Sequence, residues 1–151
     1  MRSIQGDLIK LALNRKFDVI IHGCNCQCEM GAGIAKAIKK KFPQAYEADC
    51  KTQKGDRSKL GRISTATVDC EGHELTIVNA YTQFHWRGKG VKADYQAIEN
   101  CMKEIKKQYS GKRIGYPLIG AGSAGGDWSI ISEIIDRMLI GENHVLVVFK
   151  P

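Results

Sequence analysis

Two glycine-rich turns constrain this chain more than any other feature: Cys28-Glu29-Met30-Gly31-Ala32-Gly33-Ile34-Ala35 and Gly120-Ala121-Gly122-Ser123-Ala124-Gly125-Gly126. Each follows an apolar, β-branched run that reads as a buried strand, Val19-Ile20-Ile21 before the first and Ile114 to Ile119 before the second. Each then opens into a periodic apolar pattern that reads as a helix. A strand, a glycine turn and a helix start leave unpaired backbone N–H groups at the positive end of a helix dipole. Two such places in one chain suit a ligand with two phosphates, or one phosphate bridge. Neither turn is followed by Gly-Lys-Ser/Thr, so the magnesium-dependent triphosphate loop is excluded.

The remaining segments fit between these turns. Ser3 to Asp7 reads as a first strand ending in a turn, and Leu8-Ile9-Lys10 as the start of a short connection. Val19 to Gly23 is too apolar for a sheet edge and reads as a central strand. Ile34, Ile38 and Phe42 recur on one helical face, with Lys36, Lys39 and Lys40 on the other. Pro43 ends that helix and starts a shorter one through Tyr46 to Lys51. Thr52 to Lys59 is a polar loop. Arg62 to Val68 and Glu74 to Tyr81 alternate as an antiparallel hairpin. Thr82 to Ala93 has no period and reads as a mobile loop over a pocket. Asp94 caps a helix with the stripe Tyr95, Ile98, Met102, Ile105 and Tyr109, ending at Ser110-Gly111. The strand Arg113 to Ile119 follows. A last helix carries Ile130, Ile131, Ile134, Ile135, Met138 and Leu139, and His144 to Phe149 closes as a buried strand. Strands alternating with helices give a three-layer α/β/α domain with a mixed, mostly parallel sheet. With no linker or repeat, residues 1–151 read as one domain.

The net charge of +7 favours an anionic partner, a phosphate-bearing small molecule as well as nucleic acid. Aromatic residues make up 7% and do not interleave with Lys and Arg, so no base-stacking platform is evident. No apolar run approaches the roughly 20 residues that cross a bilayer, and the N-terminus lacks a signal core. The chain therefore reads as cytoplasmic, its six cysteines reduced. Cys24-x-Cys26-x-Cys28 lacks a companion ligand pair, so neither a metal nor a cofactor is expected.

Gly6-Asp7-Leu8, the run His22 to Ala35 and the run Tyr116 to Gly122 resemble, in order and spacing, the macro domain family along nearly the whole chain. The Met30-Gly31-Ala32-Gly33-Ile34-Ala35 motif, with its Lys-rich helix ending in Phe42-Pro43, is similar to one branch of it. That branch includes the terminal ADP-ribose protein glycohydrolase, the DNA ADP-ribosyl glycohydrolase antitoxin and the ADP-ribose-1''-phosphate phosphatases. The resemblance implies an ADP-ribose site. Asp7 and the Leu8 backbone would meet the adenine, although Asp7 also suits a plain turn. Gly31, Ala32, Gly33 and Ile34 would hold the diphosphate together with Gly120, Ala121, Gly122, Ser123, Ala124 and Gly125, and Cys28, Met30 and Leu118 would also contact the ligand. Asn25 would contact the distal ribose, with Tyr81 and the Thr82 to Trp86 rim beside it. Phe149 packs against the adenine or, as the preferred reading, belongs to the core.

Lys92, three residues before Tyr95, matches the position of the family's nucleophilic lysine, against the alternative of a solvated loop lysine. Ala124 stands where that glycohydrolase carries an aspartate, so its two-residue apparatus does not carry over intact. Asp127 orients ribose or water, or caps the last helix, and the cap is the preferred reading. His22 reads as a core histidine, with an acid/base role only in the phosphatase case. The implied function is hydrolysis at the anomeric carbon of ADP-ribose carried on protein, DNA or phosphate. The alternative is a non-catalytic module that reads ADP-ribose or its polymer. ADP-ribosylated protein or nucleic acid are the implied partners, with no membrane partner and a monomeric state.

Overall fold

The computed structural model describes residues 1–151. Six strands form one sheet in the order β1-β6-β5-β2-β4-β3. They are β1 (Arg2–Gly6), β2 (Val19–Cys24), β3 (Ile63–Cys70), β4 (His73–Tyr81), β5 (Arg113–Tyr116) and β6 (Asn143–Phe149). All neighbours are parallel except β3 and β4, which form an antiparallel hairpin around the two-residue turn Glu71-Gly72. The helices are α1 (Leu8–Leu13), α2 (Gly33–Lys41), α3 (Pro43–Cys50), α4 (Tyr95–Tyr109) and α5 (Trp128–Met138). None is long and apolar enough to cross a membrane.

Alternation along the central strands divides the core in two. Val19 and Ile21 of β2, with Val78 and Ala80 of β4, pack against α4 and α5 through Ile98, Met102, Ile131 and Ile135. Ile20, Leu75 and Ile77 point to the opposite layer and meet Ile38, Phe42 and Ala45 of α2 and α3. Both faces of β2 are covered, which is why its sequence is continuously apolar.

β2 and β5 are adjacent and parallel, with Val19 opposite Ile114. The chain leaves β2 toward the β4-β3 side and leaves β5 toward β6 and β1. Their carboxyl ends therefore form the point at which an open α/β sheet parts, the usual place for a ligand crevice. Both glycine turns emerge there.

Three local expectations need correction. The connection beginning Leu8-Ile9-Lys10 is a helix, because the Asp7 carboxylate accepts from the Ile9 and Lys10 amides at 3.0 and 3.1 Å and so starts α1. The strand expected to run from Arg113 to Ile119 stops at Tyr116, since Pro117 has no N–H to continue a ladder. Ile130, at the edge of the α5 stripe, stays 43% exposed while Ile131, Ile134 and Ile135 are buried.

The Thr82 to Ala93 segment is an excursion closed at its base. An antiparallel bridge joins Gln83 to Ala93, and Asp94 donates its amide to the Thr82 carbonyl at 2.8 Å.

Candidate functional site

Two adjoining cavities lie at the carboxyl ends of β2 and β5. The larger measures about 560 Å³ and the smaller about 340 Å³, within the range of small-molecule sites. Gly23, Ala32, Ala35, Gln83 and Ser123 line both, so the two are lobes of one crevice.

The first turn supplies Ala32, Gly33 and Ile34 to the larger lobe. Ala32 is the N-cap of α2 and has no polar side chain to satisfy the helix's free amides, and the first turn of that helix, Ala32 to Ala35, lines the larger lobe. Gly33 has φ +57°, and a Cβ there would stand in open space. That left-handed backbone is easiest for glycine. The second turn supplies Gly120, Gly122, Ser123 and Ala124. It is closed by main-chain bonds from Gly126 to the Gly120 carbonyl at 2.7 Å and from Gly125 to that of Gly122 at 3.0 Å. A Cβ on Gly126 would lie 2.5 Å from the Gly120 oxygen, so the closure requires glycine. Both amide-rich turns thus face one space, as their sequence context predicts.

Beyond the turns, Asp7 and Leu8 line the same lobe with Ile9, Leu118, Val147 and Phe149. Both cap bonds of Asp7 go to Oδ1, leaving Oδ2 free of them. Phe149 is 69% exposed, which corrects its reading as a core residue: its ring forms part of the cavity wall. Thr82 is buried in the wall, and its hydroxyl has no hydrogen-bond partner in the protein. An unpaired buried hydroxyl costs about 1–3 kcal/mol. Thr82→Val, of matching shape, is therefore expected to leave the melting temperature of the ligand-free protein unchanged or higher. A loss of several degrees in scanning calorimetry would show that the hydroxyl has a partner.

The smaller lobe adds Cys24, Asn25, Glu29, Gly31 and Trp86. The Asn25 side chain braces the turn that carries it: Oδ1 accepts from the Gln27 amide at 2.9 Å and Nδ2 donates to the Glu29 carbonyl at 3.0 Å. Burial holds the Cys24 thiol well above the ordinary thiol range, so it is inert as a nucleophile. Glu29 is the one carboxylate lining this lobe, and sequence reading passed over it as part of the turn. Trp86 is 44% exposed, with the Arg87 guanidinium 4.3 Å over its ring.

Several residues expected at the ligand lie outside both linings. Met30 and Tyr81 are buried against Cys24 and Cys26 beneath the first turn. The Cys28 thiol points into the protein, 3.7 Å from Lys59 Nζ. Ala121 packs on the α4–α5 core, and Gly125 backs onto Gly90. Asp127 caps α5, its carboxylate accepting from the Ser129 amide at 2.9 Å and hydroxyl at 2.7 Å, which hold its pKa down. His22 is fully buried, 2.6 Å from Asn79 Oδ1, and reaches neither lobe. The Lys92 side chain is absent from both linings, but its amide donates to the Ala124 carbonyl at 2.7 Å, tying Lys92 to the second turn.

Comparison with known proteins agrees with this architecture. A family model described as Macro domain matches residues 21–135. A phage T4 protein, designated the uncharacterized 17.5 kDa protein in the tk-vs intergenic region, is 36% identical, covering 100% of this chain and 97% of its own. The ADP-ribose 1''-phosphate phosphatase of Debaryomyces hansenii is 38% identical over 91% of this chain and 93% of its own length. The DNA ADP-ribosyl glycohydrolase of Mycobacterium tuberculosis is 27% identical over 85% of this chain, which spans 35% of that enzyme. The solved structure of Thermosipho africanus DarTG in complex with ADP-ribose superposes with a TM-score of 0.73 at 20% identity, covering all of this chain and 42% of that one. By family model, sequence and fold alike, the chain belongs to the macro domain family.

Proposed function

We propose that this macro domain binds ADP-ribose across the two lobes and hydrolyses a bond at its anomeric carbon. The observation that carries this reading is the crevice itself, in which two amide-rich turns converge between an apolar lobe and a polar one. The adenosine lies in the larger lobe, with Asp7 Oδ2 available to accept from the adenine amino group and Phe149 against the ring. The diphosphate meets the free amides of α2 and those of the second turn. The distal ribose enters the smaller lobe beside Asn25, Gln83 and Ser123. ADP-ribose in the names of the yeast and mycobacterial relatives supports the ligand, and their activities support hydrolysis.

For the reacting group we propose Lys92. Its main-chain bond to Ala124 holds it next to Ser123, which lines both lobes. A lysine attacking the anomeric carbon must first lose its proton, and Glu29 is the one carboxylate that lines the smaller lobe.

The test is a substrate panel of ADP-ribosylated glutamate, ADP-ribosylated thymidine and ADP-ribose 1''-phosphate, with calorimetry on ADP-ribose alongside. We expect binding and release from at least one substrate. Lys92→Ala is expected to lower kcat by at least about 100-fold with the affinity for ADP-ribose kept. Undiminished turnover in that variant removes Lys92 from the mechanism.

One observation favours a second reading, a module that binds without turnover: Ala124 offers no carboxylate in the second turn, and the Lys92 side chain lies outside both linings. Tight binding with no release from any substrate selects that reading.

A further inference from the structure

Beneath the first turn, away from the crevice, lies a cluster of reactive groups that the proposed function does not use. Lys59 is 6% exposed, and its Nζ donates to the Cys26 carbonyl at 3.2 Å, with the Tyr81 ring 4.7 Å away. The Cys28 sulfur stands 3.7 Å from the same nitrogen, also touching the Asp49 carbonyl at 3.4 Å. Cys28 has φ +56°, a left-handed backbone that costs a non-glycine residue energy. Asp49 is 1% exposed; its Oδ1 accepts from the Tyr81 hydroxyl at 2.7 Å, whereas the buried Oδ2 has no partner. The cluster therefore holds a thiol, an amine and an unsatisfied carboxylate oxygen.

The six cysteines differ in what surrounds them. Cys24, Cys26 and Cys101 are buried, and their thiols are pushed up by desolvation. Cys50 is exposed and Cys70 half-buried, and neither has a lysine nitrogen in hydrogen-bond contact. Cys28 alone combines partial access with an amine at contact distance.

We propose that Cys28 and Lys59 form an oxidation-sensitive pair that closes a sulfur–nitrogen bond after attack by a hydroperoxide. In the first step the Cys28 sulfur attacks one peroxide oxygen, the O–O bond breaks, and the departing oxygen takes up the thiol proton, leaving as water from hydrogen peroxide or as an alcohol from an organic hydroperoxide. In the second the Lys59 ammonium gives up a proton to water, and the free nitrogen, already 3.7 Å from the Cys28 sulfur, attacks the sulfenic sulfur. The S–O bond breaks and its oxygen leaves as water with one further proton from nitrogen. The product is a sulfenamide, reducible by excess dithiol. It ties the first glycine turn to the 3₁₀ turn Arg57–Lys59.

The experiment treats the 151-residue chain with one equivalent of hydrogen peroxide, followed by intact-mass measurement and peptide mapping with a protease that does not cut at lysine. The expected result is the loss of two hydrogens, a linked peptide joining Cys28 to Lys59, and reversal by dithiothreitol. Cys28→Ser and Lys59→Met should both prevent it. Should Lys59→Met fail to fold, the map of the parent protein decides. A bond between two cysteines, added oxygen alone at Cys28 or Cys50, or an unchanged mass overturns the proposal. None of these readouts depends on ADP-ribose binding.

Discussion

Gly126→Ala is expected to abolish ADP-ribose binding and to lower the melting temperature by on the order of 5 °C. The added methyl would lie 2.5 Å from the Gly120 carbonyl oxygen, 2.8 Å from Ile131 Cδ1 and 3.1 Å from Ala93 Cβ. Only the Ile131 methyl can turn aside. The Gly120 oxygen is main chain and accepts the 2.7 Å bond that closes the second turn. Moving it opens the turn, and Gly120, Gly122 and Ser123 leave the cavity wall together. Overpacking of this kind costs about 1–3 kcal/mol, and a domain of this size loses about 2–4 °C per kcal/mol. Gly122→Ala is the control, because a Cβ there meets nothing within 4 Å, so its stability should stay at the parent value. Thermal melts and calorimetry on both variants give the comparison. A Gly126→Ala protein that melts and binds like the parent would mean that the turn does not need this closure.

The second large effect is on stability in acid. Burial pushes the pKa of His22 down to about 4, against the 6.5 of a solvated imidazole, while its hydrogen bond to Asn79 acts weakly the other way. The folded protein therefore keeps His22 neutral at pH values where the unfolded chain has already taken a proton. Stability contributed by this difference is present above pH 6.5 and is lost as pH falls toward 4, about 3 kcal/mol in all. His144, also depressed by burial, acts in the same direction. Asp49 opposes them: burial raises its carboxyl pKa, so the folded state takes up that proton first and gains on acidification. Denaturant melts at pH 7, 5.5 and 4 on the parent and on His22→Gln isolate the histidine. We expect the parent to lose about 3 kcal/mol more than the variant across this range. Parallel losses would place the pH dependence elsewhere.

What the sequence made legible were the features set by residue type alone. Val19-Ile20-Ile21 announces a strand covered on both sides, and the glycine turns announce where backbone amides stand free. Asp94 and Asp127 cap the helices their spacing indicated. Less legible was anything that depends on which way a side chain leaves an irregular backbone. Met30 and Gly31 are neighbours, yet one is buried in packing and the other lines the smaller lobe. The left-handed Cys28 sends its sulfur inward, a direction set by φ and invisible in residue order. Helix α1 went unseen because six residues are too few to display a period. Lys59 ends a stretch whose residue types read only as a polar loop, yet it is 6% exposed. Its burial comes from Cys26 and Tyr81, remote in sequence, closing around it.

The bridge between Gln83 and Ala93 has a consequence for how such a protein diversifies. With its ends fastened to each other and to the Thr82 carbonyl, the stretch between them is an Ω-shaped appendage whose tip, Trp86 to Val91, transmits little to the sheet below. Lengthening, trimming or exchanging that tip rewrites what the smaller lobe admits while the open six-stranded sheet keeps its register. Related chains can thus vary the wall of that lobe by exchanging one segment closed at its base.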